Sequence, residues 1–108
     1  MTQALLIEQE LAAAEAACKI GNEGKGRVCA RRAVALADDA WLTNRSDQLF
    51  RGDALAHLRR IQQDHSLPVF VRDAAERLST AVTQKDSAPF STDPIGDARI
   101  IIAYLSQN

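Results

Sequence analysis

Apolar residues recur at spacings of three and four along most of the chain, which predicts helices rather than strands. The first predicted helix spans residues 2–20, with Thr2 as its N-cap and Gly21 after its last turn. Its apolar stripe comprises Ala4, Ile7, Leu11, Ala14 and Cys18. A turn over residues 22–26 then leads to a second helix, predicted over residues 25–42. The seam of this helix is rich in small residues. It consists of Cys29, Ala33, Leu36 and Ala40, with Val34, Ala37 and Trp41 beside it. We therefore expect close contact with neighbouring helices and a central position in the fold.

Three further helices are predicted in the second half. The third reaches residue 64 and is capped by Ser46 or Asp47, or else begins after Gly52, because glycine inside a helix costs about 1 kcal/mol relative to alanine. Its stripe is Phe50, Ala54, Leu58 and Ile61. The fourth starts around residues 66–68, with Pro68 in or near its first turn. Its stripe is Phe70, Ala74, Leu78 and Ala81, joined by Val71, Ala75 and Val82.

A polar loop over residues 83–92 precedes the last helix. Asp93 followed by Pro94 is a strong helix start, and the helix is predicted to run to about Ser106. Its apolar positions are Ile95, Ala98, Ile101, Ile102 and Leu105. A short strand over residues 100–102 is the alternative, but the cap, the spacing and the lack of a partner strand favour the helix.

Composition supports an all-α protein. The 108 residues include 19 Ala and 11 Leu but only 5 Gly and 3 Pro, a balance that favours helix. We therefore predict a single domain over residues 1–108, folded as an antiparallel up-and-down bundle of four or five helices. Cys18 and Cys29 are too few for a disulfide framework, and we expect both thiols to be reduced.

The charge balance indicates neither a nucleic-acid nor a membrane partner. The net charge is -1, so no overall field attracts nucleic acid or a membrane. Nucleic acid stays possible as a partner, although the net charge does not point to it. The longest apolar run has six residues, 100–105, whereas a membrane span needs ~20. No basic region opens the chain as in a signal peptide. These observations predict a soluble, cytoplasmic protein that does not contact the membrane.

The segment GNEGKG, residues 21–26, resembles a phosphate-binding loop only superficially. A P-loop needs Ser or Thr after its lysine and a strand before it, whereas Gly26 follows Lys25 and a helix precedes the segment. A weaker alternative is an anion or nucleic-acid site at the helix start that uses Lys25, Arg27, Arg31 and Arg32. The competing interpretation is an ordinary helix–helix turn, with the arginines paired to acidic residues.

Residues suited to catalysis are few. The two histidines, His57 and His65, are eight positions apart with no nearby cysteine, so no metal site is predicted, and nothing in the sequence indicates a cofactor. The neighbouring carboxylates Asp38 and Asp39 should diverge on a helix, which does not favour acid–base catalysis. Two Arg/His pairs, Arg51 with His57 and Arg60 with His65, are spaced so that either could line one cleft.

Two segments, GKGRVCARRAVALADDAWL at residues 24–42 and DPIGDAR at residues 93–99, resemble HEPN domains. The resemblance implies a small helical bundle that is usually dimeric. HEPN proteins act as RNA-cleaving toxins, as partners of minimal nucleotidyltransferases or as non-catalytic interaction modules. Catalytic members carry an arginine a few residues before a histidine near the start of the last helix. Here Arg99 is followed by no histidine.

We therefore expect a non-catalytic, HEPN-like binding or assembly module that acts as a homodimer or as the partner of another protein. The alternative is a toxin-type ribonuclease that needs no metal. In that case His57 or His65 would act as acid and base, and Arg51 or Arg60 would stabilise charge on the phosphate.

Overall fold

The computed structural model describes residues 2–45 and 50–107, and these residues form five α-helices. The helices are α1 (Gln3–Lys19), α2 (Glu23–Arg45), α3 (Ala54–Gln63), α4 (Val69–Ser79) and α5 (Pro94–Gln107). A 3₁₀ turn at Val82–Gln84 lies between α4 and α5. The described residues contain no strand, and residues 100–102 are helical. The predicted all-α fold is confirmed, and the alternative strand is wrong.

Helix α2 is the centre of the bundle, as its small seam predicted. It packs against α1, α3 and α5, while α4 packs against α3 and α5. The α1–α2 pair is antiparallel, because Gln3 donates from its side-chain amide to the Leu36 carbonyl at one end and Gly26 lies beside Cys18 at the other. The core has 19 buried residues from all five helices and the α3–α4 connection, among them Leu11, Val34 and Leu58.

Two glycines shape the α1–α2 turn. Gly21 has a φ of 80°, a left-handed conformation that glycine adopts without strain, and it follows the last turn of α1. Gly26 is needed for space, because a Cβ there would lie 2.5 Å from the Cys18 sulfur and 3.3 Å from the Ala14 carbonyl oxygen. The close α1–α2 approach therefore depends on a residue without a side chain at position 26.

Helix boundaries differ from the predictions where caps were misjudged. The Asn22 side chain accepts a hydrogen bond from the Lys25 amide, so α2 begins two residues earlier than predicted, and it continues to Arg45. Helix α3 begins at Ala54, capped by Asp53, whose side chain accepts from the Ala56 amide. The alternative start after Gly52 is thus confirmed, and the proposed caps Ser46 and Asp47 lie outside the described residues.

The buried face of α4 is displaced from the predicted stripe. Val71, Ala74, Ala75 and Leu78 face the core. Phe70 is 58% exposed, because it points about 100° away from Val71 around the helix and so lies off the buried face. Ala81 and Val82 lie beyond the end of α4 and are exposed. One apolar stripe of α4 therefore builds the core, and Phe70 is left on the outer side of the helix.

Small shifts of the same kind occur elsewhere. In α1, Ala17 is buried, whereas Ala4 is exposed and Cys18 is half-buried. Both thiols are free, as predicted. No helix within residues 2–45 and 50–107 has the length and apolar character required to cross a bilayer.

Candidate functional site

The most highly charged part of the interior lies between α2 and α3. Asp38 is fully buried on α2, three residues before the buried Trp41. His57 and Arg60, three residues apart on α3, reach it from the opposite helix, because residues three apart share a helix face. Asp64, which ends α3, completes the α2–α3 ion network of Asp38, His57, Arg60 and Asp64.

Asp38 is the centre of this network. The Arg60 guanidinium donates to both of its oxygens, from Nε to Oδ2 at 2.9 Å and from a terminal nitrogen to Oδ1 at 2.5 Å. His57 Nδ1 lies 2.7 Å from Oδ2. The other terminal nitrogen of Arg60 donates to Asp64 Oδ2 at 2.9 Å. The arrangement is a bidentate Arg–carboxylate pair with an added histidine, a geometry that is among the strongest hydrogen-bonded ion pairs.

The electrostatic effects follow from these contacts. Burial lowers the pKa of Arg60, but the hydrogen bonds and charges of Asp38 and Asp64 outweigh burial, and the pKa lies above its ordinary value. Burial raises the pKa of Asp64, but hydrogen bonds from Ser66 and Arg60 outweigh it, so that pKa lies below its ordinary value. Asp64 and Arg60 are therefore each stabilised in the charged form.

His57 connects the network to the surface. Its side chain is 3% exposed, and Nε2 lies 3.2 Å from Oδ1 of Asp39, which is 51% exposed. The edge of the Phe50 ring packs on the imidazole with centroids 4.7 Å apart. Asp38 and Asp39 were expected to diverge, but both carboxylates reach the same imidazole, one at each of its nitrogens. A neutral imidazole carries only one N–H donor, whereas the imidazolium can donate toward both carboxylates.

The structure brings together only some of the proposed ribonuclease residues. His57 and Arg60 meet at Asp38, although the sequence paired them with Arg51 and His65 instead. Arg51 is exposed, in the short segment that precedes α3. His65 is also exposed, with Nδ1 3.3 Å from a terminal nitrogen of Arg72. In this conformation His57 and Arg60 face an internal carboxylate, and their polar atoms are engaged in the protein interior.

The central role of Asp38 was not predicted from the sequence, although a signal was present. Asp38 lies four positions after Val34 and three before Trp41, within the apolar seam of α2. A charged residue on a buried face requires a partner of opposite charge. Two candidate partners, His57 and Arg60, are spaced three apart on the next helix.

The four basic residues proposed for anion binding do not form one surface. Lys25 is exposed, and the Arg27 guanidinium stacks on Phe90, 4.3 Å from the ring centroid. Arg31 donates from Nε to the Leu78 carbonyl at 2.8 Å. It therefore satisfies a backbone acceptor at the C-terminal end of α4, where helix carbonyls lack partners within the helix. Burial, with a smaller effect of the Arg27 charge, lowers the pKa of Arg31.

Arg32 points elsewhere. It lines an open cavity of about 330 Å³ between the first three helices, the α1–α2–α3 pocket. The residues of this pocket that bear on its chemistry are Leu6, Glu10, Arg32, Leu36, Asp39 and His57. The α2–α3 ion network thus meets the surface at this pocket, through His57.

A second concave surface lies on the opposite pair of helices. The α4/α5 groove has a volume of about 420 Å³ and is lined by Phe70, Asp73, Arg77, Ile100, Ala103 and Tyr104. Phe70 and Tyr104 meet edge to face, with centroids 6.1 Å apart. Arg77 donates to both oxygens of Asp97, at 3.3 and 2.8 Å, which ties α4 to α5. This hydrogen-bonded pairing raises the pKa of Arg77.

No group of His, Cys, Asp and Glu side chains among the described residues could hold a metal ion. No family model, curated protein or solved structure gives a significant match to this chain. The α2–α3 ion network, the α1–α2–α3 pocket and the α4/α5 groove are therefore interpreted from their own geometry.

Proposed function

We propose that the chain is a non-catalytic binding and assembly module that works as a homodimer, with the α4/α5 groove as its self-association surface. The observation that carries the proposal is apolar surface left exposed on two adjacent helices. On α4, Val69 and Phe70 are 59% and 58% exposed, and on α5 Ile100 is exposed beside Tyr104. Contiguous exposed apolar surface of this kind is typical of interaction sites.

The order of charges in the groove favours a second copy of the chain as the occupant. Asp73 and Arg77 lie one turn apart on the outward face of α4. In a two-fold dimer every contact occurs twice with the roles exchanged. An axis at the level of Ala75 that lays the two α4 helices antiparallel would place Asp73 opposite the partner's Arg77, and Arg77 opposite the partner's Asp73. In that arrangement the groove would be self-complementary in charge as well as apolar.

The α2–α3 ion network supports the non-catalytic part of the proposal. A ribonuclease would require His57 and Arg60 to contact a phosphodiester, and here both are engaged by Asp38. Freeing them would leave the fully buried Asp38 without partners, which is costly. A HEPN-like assembly role, implied by the resemblance at residues 24–42 and 93–99, is part of this proposal.

Sedimentation equilibrium over about 1–200 μM tests the association, because dimer populations depend on concentration. We expect a species of twice the 11.8 kDa chain mass. Phe70→Asp should shift it toward monomer, because a charge would be buried in the interface. Val82→Asp is the matched control, since Val82 is 61% exposed and lies outside the groove. A wild-type monomer throughout this range, or equal disruption by both variants, would contradict the proposal.

Charge provides a second arm of the same experiment. Asp73→Lys would place like charges opposite each other across the two-fold axis, so the dimer should weaken. The repulsion should decrease at high salt because counterions screen exposed charges. Thermal melts of each variant separate loss of association from loss of folding. Incubation with RNA should give no cleavage, and cleavage that is lost in His57→Ala would favour the ribonuclease alternative.

A further inference from the structure

The α1–α2–α3 pocket contains two opposite charges that are not paired with each other. Oε2 of Glu10 is buried and has no hydrogen-bond partner within the described part of the chain. Arg32 lines the same pocket from α2, is exposed, and forms no ion pair or hydrogen bond with any described residue. Glu10 as a whole is half-buried, lines the pocket and receives no hydrogen bond from any described residue, so a ligand that brings a donor to the pocket side of this carboxylate gains a charge-assisted hydrogen bond.

The two charges lie at the same end of the pocket. Because α1 and α2 are antiparallel, with Gln3 beside Leu36 and Cys18 beside Gly26, Glu10 lies near the level of Arg32. Asp39 is two turns further along α2, and its Oδ1 already faces His57 Nε2. Glu10 and Arg32 are therefore the unengaged charges of the pocket, one of each sign.

The rest of the lining is largely apolar. Leu6 on α1 and Leu36 on α2 line the pocket one helical turn away from Glu10 and Arg32, together with Ala35 and Ala54. A cavity of about 330 Å³ is at the small end of ligand pockets, which run from about 300 to 1,000 Å³. This size suits a small metabolite rather than a nucleotide.

We propose that the α1–α2–α3 pocket binds a small zwitterion, an α-amino acid with a short aliphatic side chain. Its ammonium group donates to Glu10, its carboxylate accepts from Arg32, and its side chain lies over Leu6 and Leu36. A simple amine would leave Arg32 unpaired, and a simple carboxylate would leave Glu10 unpaired. A phosphate would bring negative charge next to both Glu10 and Asp39. The pocket lies on the α1–α3 side of the bundle, so this inference does not depend on the α4/α5 groove.

Amide chemical shifts of the ¹⁵N-labelled full chain, titrated with L-leucine, test the proposal. Two matched probes of the same carbon skeleton accompany it: isoamylamine, which lacks the carboxylate, and 4-methylpentanoate, which lacks the ammonium. We expect saturable shifts for Leu6, Leu36 and their neighbours with L-leucine. Each probe should bind at least about tenfold more weakly, because it leaves one charge of the pocket unpaired.

Variants assign the two charges. Glu10→Gln and Arg32→Gln should each weaken L-leucine binding by about tenfold or more. Their matched controls are Glu8→Gln, which removes an exposed carboxylate from the same helix, and Arg59→Gln, which removes an exposed guanidinium outside the pocket; both should bind as the wild type does.

Three outcomes would overturn the proposal. One is the absence of saturable shifts up to roughly 10 mM L-leucine, a concentration at which a site with a Kd of about 1 mM would be roughly nine-tenths occupied. Another is equal binding of all three compounds by the wild type. This comparison uses only the wild-type protein, so it does not depend on whether a variant folds. A third is unchanged affinity in both Glu10→Gln and Arg32→Gln while shifts elsewhere show that each variant retains the native structure.

Discussion

Replacing Asp38 by alanine tests whether the α2–α3 ion network holds these helices together. The substitution leaves the His57 imidazole, 2% exposed, without its Nδ1 partner and removes two hydrogen bonds from Arg60. Removing one partner of a buried ion pair costs about 3–5 kcal/mol, mainly because the remaining charge is buried without compensation. A domain of this size is stable by about 5–15 kcal/mol, so the expected loss is a large part of the total.

Urea unfolding followed by far-UV circular dichroism measures this loss. With a slope of about 1–3 kcal/mol per molar urea, the transition midpoint of Asp38→Ala should fall by at least about 1 M. Asp86→Ala is the control, because Asp86 is exposed between the 3₁₀ turn and α5 and lies outside the network and the α4/α5 groove, and it should change the free energy of unfolding by no more than about 0.5 kcal/mol. A loss below about 1 kcal/mol for Asp38→Ala would refute the reasoning.

A triple variant distinguishes the two possible origins of that cost. The variant Asp38→Leu/His57→Leu/Arg60→Met replaces the three residues of the α2–α3 ion network that meet at Asp38. No charged group is then left buried at that point without a partner. Apolar replacement of a whole buried ion cluster is often neutral or stabilising by about 1–4 kcal/mol. We therefore expect the triple variant to be at least as stable as Asp38→Ala. If it were clearly less stable than the wild type, the network itself would be contributing more than its desolvation costs.

Two further predictions concern packing and pH. Gly26→Ala should destabilise the fold, because its Cβ would lie 2.5 Å from the Cys18 sulfur. Gly24→Ala is the control: its Cβ would have no neighbour within 4 Å, so it should raise the free energy of unfolding by about 0.5–1 kcal/mol in urea melts. Adding Cys18→Ala should restore the stability that Gly26→Ala loses. If it did not, the clash would lie with an atom other than the Cys18 sulfur. The folded-state pKa of Asp64 lies below its ordinary value of 3.8, so its stabilising contribution is present above that pH and is lost as the pH falls through the folded-state pKa. Urea midpoints should therefore fall less steeply below about pH 4 in Asp64→Asn than in the wild type, and parallel curves would contradict this assignment.

The sequence was sufficient to predict the helices and the central position of α2, because apolar spacing and small residues act locally. It was not sufficient to predict which side of α4 faces inward. Phe70 and Val71 are adjacent and both apolar, and a helix turns about 100° between them, so only the positions of α3 and α5 decide which is buried. The exposure of Phe70, which defines the α4/α5 groove, is a property of the tertiary arrangement.

The basic residues of α2 show the same limit more sharply. Arg31 and Arg32 are chemically identical neighbours, and the sequence treats both as candidates for one anion site. Arg31 turns inward and donates to the Leu78 carbonyl at the end of α4, whereas Arg32 turns toward the α1–α2–α3 pocket and has no internal partner. What separates a structural arginine from a binding arginine is whether a backbone or side-chain acceptor lies within reach. That acceptor is 47 residues away in the chain.

Histidine, arginine and aspartate in contact are also the components of many catalytic sites, so their proximity alone does not indicate function. A catalytic histidine held by an aspartate has its second nitrogen directed at substrate, and a catalytic arginine keeps donors for the reacting group. In this protein Nε2 of His57 faces Asp39, and Arg60 distributes its donors between Asp38 and Asp64. The donors of the network are thus directed at carboxylates of the protein itself, which is the arrangement expected of an ionic connection between two helices.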